Sequence, residues 1–206
     1  MHPPASSDRL LSKHRLEALS DGVFAVVLTL LVLEIKPELP PHADNATVVE
    51  ALSHLARPLL GYGFAFLLIA IFWSLHHRKF LLLRLTDAIH TFLTFAFLFG
   101  VSLLPFTLSI YLASMKSTVA EALYFADFTL IAATLLVGWF YAQRNGLRDP
   151  DLPAAPGRVL THRMVLMTVA GAIATAASYF DQHWLFLLLL VLMIWGRMQR
   201  RRLAAP

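Results

Sequence analysis

The chain has 206 residues, 58% of them hydrophobic and 15% charged, with a mean hydropathy of +0.65, whereas soluble domains carry roughly 45–50% apolar and about 25% charged residues. That balance excludes a water-soluble globule, and the zero cysteine count excludes disulfides, thiolate metal sites and cysteine nucleophiles. The formal charge of +4 does not point to nucleic acid, because the basic residues stand beside apolar runs and read as topology signals.

The amino terminus, MHPPASSDRLLSKHR, sets Asp8 among its bases, and no small-residue cleavage site follows the first apolar run, so a cleaved signal peptide is not expected. The first span runs from Leu16 to Ile35. A crossing helix needs about 20 mostly apolar residues, yet the charge-free run from Gly22 to Leu33 has only 12. The span therefore takes Asp21 below the membrane surface, with Glu17 one turn nearer to it. Two readings stand for RLEALSDG, Arg15 to Gly22: a helix start with acids set favourably on the dipole, or a functional cluster facing protein or water, as polar groups at membrane depth usually do.

The connection from Lys36 to Arg57 reads as a loop; its Asn45-Ala46-Thr47 triplet matches a glycosylation pattern too common to carry weight. The second span is Pro58 to Leu75. Gly61-Tyr62-Gly63 faintly echoes the TVGYG filter, but it opens an apolar helix, where small residues permit close packing. At the far end stands Trp73-Ser74-Leu75-His76-His77-Arg78-Lys79-Phe80. Trp and bases anchor spans at an interface, and adjacent His side chains point about 100° apart, a poor pair for one metal ion. One of His76 and His77 is in reach of Asp21 or Arg15, because helices one and two end on the same side.

The third span is Ala88 to Tyr111, with Pro105 inside SLLPFTLS; it kinks the helix or frees a carbonyl beside Ser and Thr. The fourth is Ala122 to Tyr141, where Asp127 is expected as an interfacial residue near the outer surface. The connection Gln143 to Arg163, holding NGLRDPDLPAAPGR, reads as a loop. The fifth and sixth spans are Met164 to Phe180 and His183 to Gly196.

The basic residues test this count independently. Arg9, Lys13 and Arg15, then Arg78, Lys79 and Arg84, then Arg144, Arg148, Arg158 and Arg163, then Arg197, Arg200, Arg201 and Arg202 all fall on one side. Only Lys36, Arg57 and Lys116 fall on the other, of 17 in all. Lys and Arg favour the cytoplasmic side, so the sequence predicts six spans in one domain, 1–206, with both ends cytoplasmic. No GxxxxGKS or GxxxxGKT loop, GxSxG elbow or HExxH helix is present. No enzyme, cofactor or metal site is expected.

Arg15-x-x-x-Leu19-Ser20-Asp21, followed by an apolar helix, resembles the RxxxFSD signature of the lysosomal potassium channel family, transmembrane protein 175, and especially its single-repeat prokaryotic members. WSLHHRKF is similar to that family's second-helix W-x-x-H-H segment, and Leu104-Pro105-Phe106 to its third-helix ending. The chain departs in having Leu19 where the signature has Phe, and Thr91 and Thr94 where the family's Asn is expected. The resemblance implies a potassium-permeable cation channel of four copies, in a prokaryotic inner (plasma) membrane, with helix one lining the pore. Its partners are then other copies of itself, lipid and monovalent cations.

The resemblance further implies a pore closed by apolar rings at Val26, Leu30 and Leu33, with Thr29 beside them. Arg15, Ser20 and Asp21, with Trp73, His76 and His77, would form the packing network that sets the pore's width. Spacing permits a shared face for Val26, Leu30 and Leu33, at i, i+4 and i+7, but a helix apolar all round offers such a stripe on any face. Thr29 could equally bond back to the Ala25 carbonyl. The rival reading is a proton-coupled transporter or proton-conducting channel relaying through Asp21 or Asp127.

Overall fold

A computed structural model describes residues 7–36, 39–114 and 116–180, and its described part is all helical. Helix α1 spans Ser7–Leu30 and continues as a 3-10 turn, Leu31–Glu34. Then follow α2, Asn45–His54, α3, Ala56–Leu81, α4, Ala88–Ala113, α5, Thr118–Arg144, and α6, Ala154–Ala177, ending in a second 3-10 turn, Ser178–Phe180. Five of these six helices (α1 with its turn, α3, α4, α5 and α6) are long and apolar enough to cross a membrane. They cover the first five expected spans. The sixth, His183 to Gly196, lies outside the described residues.

Three boundaries differ from the sequence reading. The connection Lys36 to Arg57 is not all loop: Asp44 caps α2 by accepting from the Thr47 backbone at 2.8 Å and from its hydroxyl. Those two bonds, the hydroxyl's first, hold the Asp44 carboxyl below its ordinary value. The Asn45-Ala46-Thr47 triplet is thus the first turn of a helix. Helix α3 runs on past Leu75 to Leu81, because its polar end residues His76 and Lys79 are buried in protein rather than anchored in water. Helix α6 begins at Ala154, ten residues before Met164, since Pro153 caps it and Pro156 sits in the first turn, where a missing N–H costs nothing.

Helices α4 and α5 form the centre, each about half buried along its apolar stretch, whereas α1, α3 and α6 are more open. Glycines set how closely they approach. A Cβ on Gly100 would stand 2.8 Å from Cγ1 of Ile131 on α5, and one on Gly171 of α6 would stand 2.7 Å from the Thr129 hydroxyl and 2.8 Å from the Phe128 ring. A Cβ on Gly61 would stand 3.0 Å from the Leu112 side chain of α4, but one on Gly63 would meet nothing, so only the first glycine of that pair serves close packing. Pro105 is buried inside α4, which continues through it.

At the end of the bundle that carries the start of α1, the two connections are tied together. Leu83 pairs with Arg148 in an isolated antiparallel bridge, Arg84 N–H donates to the Leu147 carbonyl at 2.9 Å, and Asp149 N–H to that of Leu82 at 3.0 Å. Gly146, at φ +67°, supplies the left-handed turn that ends α5. Lys13 of α1 donates to the Leu83 carbonyl at 2.6 Å and fixes the start of α1 to the same corner.

Candidate functional site

Helix α1 has two faces. Leu16, Ser20, Phe24, Val27 and Leu31 are buried, at spacings of three and four residues, and form its seat on α3 and α4. Val26, Leu30 and Leu33 are 55, 42 and 62% exposed on the other side. Leu28 lies partly buried against the core. Because α-helix ends at Leu30, Leu33 belongs to the 3-10 turn, where side chains three apart eclipse. Leu33 therefore stands over Leu30 more directly than α-helical i, i+3 geometry would place it, and the apolar stripe is kept. The Thr29 hydroxyl bonds back to the Val26 carbonyl at 2.8 Å, not to that of Ala25.

The signature residues divide into three groups. Ser20 is fully buried and donates to the Leu16 carbonyl of its own helix at 2.8 Å. Asp21 is exposed, and its carboxylate accepts from the Trp73 indole N–H at 2.8 Å, a bond between α1 and α3. Arg15 is exposed and makes no hydrogen bond or ion pair among the described residues. Neither histidine reaches Asp21 or Arg15. His77 lies 3.4 Å from Glu17 and stacks on the Trp73 ring, centroids 5.4 Å apart and planes 7° apart. The α1 to α3 link is thus made twice, by Trp73 to Asp21 and by His77 to Glu17, with the Trp73 and His77 rings stacked on each other.

His76 points the opposite way, into the bundle. It is buried, stacked on Phe97 at 4.8 Å, with Phe80 at 4.7 Å and Phe24 of α1 at 6.1 Å. Both its ring nitrogens lack hydrogen-bond partners among the described residues. It serves as an aromatic floor under Phe24, which also meets Phe97 at 5.9 Å. Where the family's Asn was expected, Thr94 is buried and donates to the His90 carbonyl of its own helix at 2.9 Å, so α4 holds α1 there by rings rather than by an amide.

Three buried polar groups run against the sequence reading. Lys79, counted as an interfacial base, is 1% exposed: its ammonium lies 5.3 Å from the Phe80 ring centre and over Gly138, whose missing side chain leaves it room. It makes no ion pair among the described residues. His90 is fully buried with both ring nitrogens unpartnered among the described residues, beneath Asp87, which caps α4 through the His90 N–H at 2.7 Å and accepts from the Tyr141 hydroxyl at 2.8 Å. Asp127, expected at the outer interface, is 6% exposed, with Oδ2 at 3.0 Å from the Thr107 hydroxyl of α4. No sequence signal marked His90, and none marked the burial of Asp127 and Lys79, because an apolar surrounding sequence does not say which helix face a polar residue takes.

Chemically, the described residues hold no group of three His, Asp or Glu side chains able to bind a metal. What α1 offers is an apolar stripe open to the outside of the protomer and a seat with directional polar contacts only near its start. The family model described as endosomal/lysosomal potassium channel TMEM175 matches residues 15–105, the segment from the signature arginine to Pro105. A potassium channel of Streptomyces collinus is 32% identical over 186 residues, which cover 84% of this chain and 89% of that one. A potassium channel of Chamaesiphon minutus is 37% identical over 133 residues, covering 62% of this chain and 64% of that relative. In three dimensions the chain is similar to the crystal structure of a lysosomal potassium-selective channel TMEM175 homolog from Chamaesiphon minutus, with a TM-score of 0.68, 27% identity, and coverage of 90% of this chain and 98% of that one. The chain is therefore a multi-pass membrane protein that belongs to the endosomal/lysosomal potassium channel TMEM175 family.

Proposed function

We propose that the chain is the subunit of a homotetrameric, potassium-permeable channel of a prokaryotic plasma membrane, with both ends cytoplasmic. Helix α1 lines the pore, and Val26, Leu30 and Leu33 close it, without a TVGYG filter. One observation carries this beyond family membership: the three residues stand exposed, outside the buried seat of α1. A ring of four branched apolar side chains closes a pore by expelling water, because an ion there loses hydration without gaining ligands. Thr29, its hydroxyl engaged by the Val26 carbonyl, adds a polar edge between the rings. Trp73, Asp21, His77 and Glu17 fix where the start of α1 stands and hence the width of the pore. Ser20 and His76 shape the seat, and Arg15, exposed in the protomer, is free to reach a neighbouring subunit.

The test is current through the purified protein in a planar bilayer under a potassium gradient. Unitary currents that reverse at the potassium equilibrium potential support the channel. Flux that saturates and requires a proton gradient supports the transporter alternative through Asp127. Mass measurement in detergent decides the tetramer, a persistent monomer counting against a pore lined by α1.

A further inference from the structure

We propose that the groove between the end of α3 and the beginning of α6 binds an anionic phospholipid, its phosphate held by Arg78 and Arg163. At the end of α3, Arg78 and Leu81 share one face with Leu82, the residue that caps the helix; on α6, Ala155, Val159 and Arg163 follow at successive turns, with Pro156 and Leu160 beside them. These residues enclose a groove of about 400 Å³. Its walls are apolar and open: Leu81 is 59% exposed and Val159 41%.

The pairing of guanidinium groups with bare aliphatic wall has the composition of a site for an amphiphile. A guanidinium binds a phosphate diester through two parallel N–H bonds, while the glycerol and upper acyl chain lie against Leu81, Leu82 and Val159. Arg163 keeps a contact within the chain as well, and five donors on a guanidinium allow it to serve both. Charge selects the occupant. A choline head group would bring its own cation to two arginines, and a second copy of the chain would bring the same basic face, to which Arg84 and Arg148 on the connections, Arg144 at the end of α5 and Arg158 on α6 add. Asp149 and Asp151 lie on the α5–α6 connection but do not line the groove. Basic recesses between spanning helices at the cytoplasmic surface are where anionic head groups dock.

The site does not depend on conduction, so its test is independent of the channel reading. The full-length protein in neutral detergent is titrated with phosphatidylglycerol or with phosphatidylcholine of the same acyl chains, and bound lipid is counted by native mass spectrometry. Phosphatidylglycerol should bind preferentially, and each of Arg78→Gln and Arg163→Gln should weaken it about fivefold. Val159→Trp, which fills the groove and keeps both arginines, should abolish the preference while leaving the protein folded. Equal binding of the two lipids overturns the proposal, as does unchanged phosphatidylglycerol binding in Val159→Trp and the double arginine variant. Displacement of the lipid by inorganic phosphate alone would make the site one for free phosphate. Val159-dependent association of two chains without lipid would give the groove to a second copy; either result sinks the lipid assignment.

Discussion

Leu30→Ser separates a pore-lining α1 from an α1 that merely faces lipid. Leu30 is 42% exposed in the protomer, so the truncation costs less than the 2–5 kcal/mol of a fully buried leucine, about 1–3 kcal/mol per chain. In a ring of four, the substitution places four hydroxyls at the constriction. At about 0.5 kcal/mol of added hydration each, they lower the barrier to an entering ion by about 2 kcal/mol, roughly a thirtyfold rise in resting current. The control is Leu28→Ser: position 28 lies about 200° round the helix from position 30 and packs partly against the core, so it loses comparable stability without touching a central axis. Currents are recorded in planar bilayers after size measurement shows both assemblies intact. A rise in Leu30→Ser and none in Leu28→Ser supports the ring. Equal changes in both, or none in either, refute it and return Leu30 to contact with lipid.

Trp73→Phe keeps the ring against His77 but removes the bond to Asp21, and should cost about 1 kcal/mol and speed amide exchange in the first half of α1, read by hydrogen-exchange mass spectrometry. Lys79→Met replaces a buried ammonium that has no carboxylate partner among the described residues by an apolar chain of similar length; the thermal midpoint should rise by several degrees, and a fall would show that the charge is needed where it stands. Gly171→Ala forces a Cβ against Thr129 and Phe128 and should destabilise by about 1–3 kcal/mol in thermal unfolding. Gly63→Ala meets no neighbour and should stabilise α3 slightly, by about 0.5–1 kcal/mol.

How much the sequence revealed depended on which physical signal each residue carried. Spans one to five were legible because hydrocarbon thickness sets a minimum apolar length, and the expected ranges overlap the five long helices. Helix α2 was missed because its ten residues carry too few apolar positions to be read through a polar stretch, while its real signal, Asp44 three residues before Thr47, is a cap of the common Asp-to-N3 kind. The early start of α6 was missed because Pro153 and Pro156 read as loop residues, although proline in a first turn is compatible with helix. The signature cluster was legible as a unit, but its partners were not: Trp73 takes Asp21, His77 takes Glu17, and His76 turns inward. Consecutive residues on a helix point about 100° apart, so the pair His76 and His77 could not both face α1's acids, and only the packing of Phe24 decides which one does not.

The limit of that legibility lies in the hydroxyls. Along the spanning helices Ser20, Ser74, Thr94, Ser102, Thr134, Thr161, Thr168 and Thr175 each donate to a carbonyl three or four residues back on their own helix. Inside hydrocarbon this satisfies the hydroxyl within its own helix, and of these residues only Thr161 and Thr175 also bond to a neighbouring helix among the described residues. Side-chain bonds between helices are correspondingly few among the described residues: Trp73 to Asp21, Thr107 to Asp127, Trp139 to Thr161, Tyr141 to Asp87, and the close approach of Thr129 and Thr175. Four of these five tie α5 to α4 or α6, where Gly100 and Gly171 also bring the backbones closest. Only one of these bonds reaches α1, at Asp21, and the other polar ties of α1, His77 to Glu17 and Lys13 to the Leu83 carbonyl, also precede Phe24; from Phe24 onward the helix is seated by apolar and aromatic contact, which lacks the directionality of a hydrogen bond. The part of the protein held by glycine approach and buried polar pairs is therefore the α4–α6 frame, and the helix assigned to the pore is the one whose far half rests on it by shape alone.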